Sequence, residues 1–169
     1  MKVLTVYKSK SGASMYYAEE IARALGGTAV NYRRLPRENA DLVIYCAGVN
    51  MGKVDGWRAV SEKLHVIGKR VWVAASCLAL PREELRKAVA EKSGIQPEML
   101  FLMRGRMSRS RLNWIDRLIV NMYSRQLEKK TEKTQEDREI INAIAFPTSF
   151  TEIKYILPVV KEARRLDER

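Results

Sequence analysis

The residues best suited to chemistry in this sequence sit together near its start, in the run Ser9-Lys10-Ser11-Gly12-Ala13-Ser14. Ser9, Ser11 and Ser14 offer three hydroxyls that can donate to oxyanion oxygens. Gly12 has no side chain, so the backbone there can approach a ligand closely. The run follows an apolar stretch and opens a helical pattern, where backbone amides are free and the helix dipole favours negative charge. Those features together describe a phosphate cradle made by the whole run, Lys10 and Ala13 included. A serine-rich turn that merely caps a helix would use the same residue types. Position in the fold separates the two readings.

Other chemistries are thinly provided for. One histidine, His65, leaves no set for a multi-histidine metal site or a Ser-His-Asp triad. The predicted metal content is therefore none, and no residue stands out as a catalytic acid or base. His65 reads as an ordinary residue near a helix end. The two cysteines, Cys46 and Cys77, lack CxxC spacing and imply a reducing, cytoplasmic setting. Met1-Lys2 runs straight into an apolar strand pattern, which predicts no signal peptide. The net charge of +11 favours an anionic partner. Nucleic acid is not expected, because neither a recognition motif nor aromatic stacking platforms accompany the arginines.

The elements that would position the loop alternate strand and helix. Strands are predicted at Lys2 to Tyr7, Thr28 to Tyr32, Leu42 to Ala47, Arg70 to Ala75 and Met99 to Met103. Helices are predicted at about 14–25, 56–67 and after Pro81, with Pro81 in the first turn. Leu42-Val43-Ile44-Tyr45-Cys46-Ala47 is apolar throughout, as a parallel strand buried on both faces must be. Thr28 to Tyr32 suits an edge strand. The alternation predicts an α/β chain with a doubly wound parallel sheet, in one domain over 1–169. Near the end, Ser149-Phe150-Thr151-Glu152 reads as a capping box, with Phe150, Ile153, Leu157 and Val160 on one helix face and Pro158 kinking or dividing it.

Here a family resemblance becomes specific. Lys2-Val-Leu-Thr-Val-Tyr-Lys-Ser-Lys-Ser-Gly-Ala-Ser14 resembles the flavodoxin signature, whose loop reads T/S-x-T/S-G-x-T/S; Ser9, Ser11, Gly12 and Ser14 match it. The resemblance implies a flavodoxin-like three-layer sandwich with five parallel strands in the order 2-1-3-4-5, and FMN with its phosphate in this loop. It also implies ring-holding loops after the third and fourth strands. The first is Val49-Asn50-Met51-Gly52, with Met51 where flavodoxins often carry an aromatic; a plain glycine turn is its other reading. The second is Ser76-Cys77-Leu78, where Cys77 is read chiefly as a small packing residue.

After the fifth strand lies an insertion, about residues 105–147. Residues 103–133 hold nine Lys and Arg against three acids. A helical pattern over about 111–127 presents Leu112, Ile115, Leu118, Ile119, Met122 and Tyr123, and a second short helix is predicted over Arg138 to Phe146. Arg104-Gly-Arg-Met-Ser-Arg-Ser-Arg-Leu-Asn-Trp-Ile-Asp-Arg-Leu-Ile119 resembles the menaquinone-dependent protoporphyrinogen oxidases, with Trp114, Asp116 and Arg117 matching an aromatic-x-Asp-Arg element. That likeness implies an FMN-dependent oxidoreductase passing electrons from an organic substrate, such as an acidic tetrapyrrole, to a quinone or a redox partner protein. Arg106, Arg109, Arg111, Trp114 and Arg117 are its candidate partner or substrate residues. A basic helix with a wide apolar face also suits peripheral contact with an anionic membrane, at its inner face, or plain packing on the domain. The insertion is expected to face the partner and to stay outside the flavin site. A non-enzymatic electron carrier with a basic docking face is the alternative.

Overall fold

A computed structural model describes residues 1–168. Five parallel strands form its central sheet: β1 (Val3–Lys8), β2 (Thr28–Asn31), β3 (Ala40–Asn50), and two later strands, β5 (Gly68–Cys77) and β6 (Leu100–Arg104). They run in the order β2-β1-β3-β5-β6. In the numbering of five strands this is 2-1-3-4-5, as the resemblance implies. Thr28–Asn31 is an edge. A sixth strand was not foreseen: β4 (Lys53–Val54) folds back on β3 as an antiparallel hairpin. It is two residues long, too short for any alternation to reveal.

Helices cover both faces. Helix α1 (Ala13–Leu25) and the C-terminal α6 (Leu157–Asp167) pack on one face; α2 (Trp57–Ile67) and α3 (Glu83–Ser93) pack on the other. Strand β3 explains why its sequence is continuously apolar. Leu42, Ile44 and Cys46 enter the α1/α6 core, while Val43, Tyr45 and Ala47 enter the α2/α3 core. All six are fully buried. Burying each large side chain contributes roughly 1.5–3 kcal/mol. Thr5, polar but fully buried in β1, donates to the Ala18 carbonyl at 2.9 Å and ties α1 to the sheet.

Three local expectations need correction. Pro81 lies one residue before the extended N-cap Arg82 of α3, outside its first turn. The capping box at Ser149–Glu152 does not form. Thr148–Ser149 instead make strand β8, which pairs antiparallel with β7 (Arg106–Met107), and the Glu152 amide donates to the Tyr17 hydroxyl at 3.3 Å. Ile153 and Leu157 are exposed; Ile156, Val159, Val160 and Ala163 form the buried stripe. Pro158 sits in the first turn of α6, where its missing N–H costs nothing.

The β7–β8 ribbon closes the base of the insertion. Beyond it come a short 3₁₀ turn (Arg109–Arg111), helix α4 (Trp114–Glu128) and helix α5 (Gln135–Ala145). Helix α4 starts three residues later than its apolar pattern suggests, because Asn113 caps it by accepting from the Asp116 amide at 2.8 Å. Helix α5 begins earlier than predicted, at a capping box between Thr134 and Asp137. The two helices enclose a small core of Leu127, Ile140 and Ile144, packed on Leu78 and Ala79 after β5. Among the described residues no helix is long and apolar enough to cross a membrane.

Candidate functional site

The carboxyl ends of β1, β3, β5 and β6 converge on one crevice, where open parallel sheets hold ligands. The first wall is the loop from Lys8 to Ser14. Gly12 is the N-cap of α1 with φ +92°, a conformation that favours glycine, and its N–H donates to Ser9 Oγ at 3.0 Å. No side chain caps α1 and no acidic residue sits in its first turn, so its leading amides remain free donors. Ser14 is buried and its Oγ lies 3.1 Å from Ser76 Oγ, joining this loop to the one after β5.

A cavity of about 280 Å³ extends from this loop, at the lower edge of the size typical of small-molecule clefts. Lys10, Ser11, Ser14, Val49, Asn50, Ser76, Cys77 and Leu78 line it, so all three predicted loops contribute. Ser9, Gly12, Ala13 and Gly52 lie outside its lining. So does Met51, and this changes its expected role. Met51 is 73% exposed at the tip of the β3–β4 hairpin. With φ +51° beside Gly52 at +76°, it forms the left-handed turn that the twist of a tight hairpin demands. The chain there reverses direction, and the side chain is no part of the cavity wall.

The remaining wall comes from the insertion, contrary to the expectation that it stands apart. Arg106, Met107, Leu112, Asp116, Ile119, Val120 and Tyr123 all face the cavity. The apolar residues of the insertion thus divide between two faces. Leu112, just ahead of α4, lines the cavity with Ile119, Val120 and the partly exposed Tyr123, the one aromatic in the lining; Trp114, Ile115, Leu118 and Met122 remain exposed outside. Arg109, Arg111, Trp114 and Arg117 are not cavity residues. Trp114 is 75% exposed, and Arg117 reaches back to the Arg109 carbonyl at 3.1 Å. Asp116 is the site residue most easily missed. One signal for it existed, a carboxylate set at helical spacing within an apolar stripe, which demands a partner.

That partner is Lys10. Its Nζ lies 2.8 Å from Asp116 Oδ1 and 3.7 Å from Asp55 Oδ2, while Lys8 pairs with Asp55 at 2.9 Å. The loop lysines are therefore committed to carboxylates. Arg106 and Arg111 are not. Arg106 Nη2 donates to the Gly12 carbonyl at 2.6 Å, and its Nε is buried without a partner. A methyl group on Gly12 would meet Arg106 Nη2 at 3.0 Å and Arg111 Nη1 at 3.2 Å.

Below the cavity, Arg104 is buried and organised. Its Nε donates to the Leu78 carbonyl at 2.9 Å, its guanidinium pairs with Glu139 at 2.5 Å, and it stacks 3.8 Å from the Phe150 ring. Tyr17 donates to the Arg104 carbonyl at 2.5 Å, and burial raises the Tyr17 phenol well above its ordinary value. Burial likewise pushes the Cys77 thiol up to about 12, so it is a neutral packing group at physiological pH. Desolvation also raises Tyr123.

The residues present fit a flavin mononucleotide. An uncapped helix start, a glycine whose missing side chain lets two guanidiniums approach the loop and an orphaned guanidinium N–H all favour a phosphate. The apolar cavity beyond favours a planar ring. Two solved structures are similar to this chain at low identity. A flavodoxin from the domain Archaea shares 14% identity, with a TM-score of 0.46, over 86% of this chain and 97% of that one. A WrbA-like flavodoxin from Agrobacterium tumefaciens shares 13%, with a TM-score of 0.47, over 97% and 98%. No curated protein matches the sequence. A family model described as the flavodoxin domain matches residues 4–134, from β1 through the loop beyond α4. Since that match takes in the hydroxyl loop, all five parallel strands with the connections between them and the helix that roofs the crevice, the chain belongs to the flavodoxin domain family.

Proposed function

We propose that this protein is an FMN-dependent oxidoreductase of the protoporphyrinogen oxidase or quinone-linked type, moving electrons between an organic substrate and an acceptor such as a quinone. One observation carries the reading: an apolar cavity lies between the hydroxyl loop of β1–α1 and a roof made by α4. Bound FMN would supply the redox chemistry. The chain's own residues position and shield. Ser11, Ser14 and the free amides of α1 would hold the phosphate, with Ser9 fixing the loop through the Gly12 amide. Val49, Asn50 and the 76–78 loop would border the ring, and Val120 and Tyr123 would exclude water from above. Asp55 and Asp116 are ion-paired with lysines.

The outer face of α4 supports the choice of acceptor. Trp114, Ile115, Leu118 and Met122 form an exposed apolar stripe, flanked by the exposed Arg109, Arg117 and Arg125. That pairing suits an anionic membrane surface at the cytoplasmic side, where a quinone dissolves. The basic flank equally suits an acidic redox protein, as a non-enzymatic electron carrier requires. Two measurements test the reading. Purified protein should carry or take up FMN, seen in the visible flavin bands. It should then oxidise an acidic tetrapyrrole substrate with a soluble quinone as acceptor over many turnovers. Absence of flavin uptake by folded protein overturns the cofactor; flavin bound without turnover leaves the electron carrier.

A further inference from the structure

Two cations at the phosphate loop have no counter-charge. Among the described residues neither Arg106 nor Arg111 forms an ion pair, although Lys8 and Lys10 of the same loop both do. Both guanidiniums flank the same point of backbone at Gly12. Like charges so placed repel. The α1 N-terminus adds partial positive charge and has no acidic residue in its first turn to offset it. Arg106 also leaves a buried Nε–H unsatisfied while Nη2 holds the Gly12 carbonyl. An unpaired buried donor of this kind is destabilising, and an oxyanion taken by the Nε/Nη edge of the guanidinium satisfies it.

The arrangement is held in place by the fold. Arg106 opens β7, whose register against β8 pairs it with Ser149, and the Phe150 amide donates to the Gly105 carbonyl at 3.0 Å. Arg111 ends the 3₁₀ turn that leads into α4, where the Arg111 amide donates to the Ser108 carbonyl at 3.1 Å. Both side chains therefore come from the insertion, and both are delivered to the first loop of the domain.

We propose that Arg106 and Arg111 form a charge-compensating clamp for a phosphate monoester dianion seated on the Ser9–Ser14 loop, so that the site selects a flavin with a terminal phosphate over the same flavin without one. The assignment rests on the flavin reading above for the identity of the ester, but not for the clamp itself. Riboflavin and FMN differ only in that phosphate, so their affinity ratio isolates the clamp. FMN and riboflavin are titrated by fluorescence quenching against wild type, Arg106→Gln, Arg106→Lys and Arg111→Gln at low and raised salt. Arg106→Gln should weaken FMN at least tenfold and change riboflavin less than twofold. Arg106→Lys should recover only part, since an ammonium lacks the planar fork. Wild-type FMN affinity should fall with salt and riboflavin affinity should not. Equal losses for both flavins, or none, overturn the clamp while leaving flavin binding intact. Should Arg106→Gln fail to fold, Arg111→Gln, altered on an exposed side chain, carries the same comparison. If wild type binds no flavin, the flavin reading falls, and inorganic phosphate decides the clamp alone. A thermal shift with phosphate that disappears in Arg111→Gln supports it; an equal shift in both proteins, or none, overturns it.

Discussion

Lys10 Nζ lies 2.8 Å from Asp116 Oδ1 and 2.9 Å from Oδ2, joining the first loop of the domain to the helix that roofs its crevice across 106 residues of chain. The aspartate is nearly buried and the lysine about one-third exposed. The pair also orients α4, since Asp116 stands in its first turn, where a carboxylate is favoured by the dipole.

Cutting this strap should loosen the roof more than the sheet. Asp116→Asn removes the charge while keeping the shape, and Lys10 retains Asp55. The expected loss is about 1 kcal/mol for a partly exposed pair. Hydrogen exchange should show faster exchange in α4, with amides of β3 and β5 unchanged. Uniform loss across the chain would mean the pair supports the whole domain.

Met51 offers a stabilising substitution. Among the described residues it is the one non-glycine with positive φ, a conformation that costs an ordinary L-residue roughly 1–2 kcal/mol. Met51→Asn gives the Asn-Gly pair that such two-residue turns prefer. It should add roughly 0.5–1 kcal/mol, raising Tm by about 1–4 °C in calorimetry. Flavin binding should stay as it was, because the side chain is no part of the cavity wall.

Membrane attachment should depend on the outer face of α4 and its flanks. Replacing Arg109, Arg117 and Arg125 by Gln should reduce binding to anionic vesicles by roughly 100-fold, at about 1 kcal/mol for each basic residue near the surface. Leu118→Ser should weaken it separately, and raised salt should weaken wild type. Co-sedimentation with phosphatidylserine and with neutral vesicles reads all three. Equal binding of wild type and triple variant would remove the membrane and leave an acidic protein partner.

Acid should release α5 before it unfolds the sheet. Glu139 is held below the ordinary carboxylate value by its bond to Arg104. Desolvation works upward on Glu136, but bonds from Arg82 and the Leu80 amide outweigh it and bring Glu136 below its ordinary value as well. Both groups therefore bind protons more weakly folded than unfolded. Their stabilisation is complete above the unfolded value of about 4.3 and disappears as pH falls through the folded values. Exchange protection in α5 should accordingly hold from neutral pH to about 5 and drop below about 4, ahead of β3.

What the sequence determined is what local patterning can carry. A strand buried on both faces must be apolar at every position, so Leu42–Ala47 announced itself and, with the alternating helices, the doubly wound sheet. The hydroxyl loop was legible because its residues are contiguous and its place, between the first strand and first helix, follows from their order. Tertiary structure decided the rest of the site. An amphipathic helix does not say which of two apolar faces is covered, and the insertion turns Leu112, Ile119 and Val120 inward only because the ribbon of Arg106–Met107 and Thr148–Ser149 folds it back. Each strand of that ribbon has two residues, leaving no period to detect. Ser149 and Glu152 spell a capping box, yet the ribbon takes the serine and the Tyr17 hydroxyl takes the glutamate amide, because contacts between distant segments override a local motif of modest energy. The same holds at the phosphate loop. Lys10 belongs to that loop, but Asp116 claims its charge, and the guanidiniums that face Gly12 come from beyond residue 105, a meeting that only the closed chain can make.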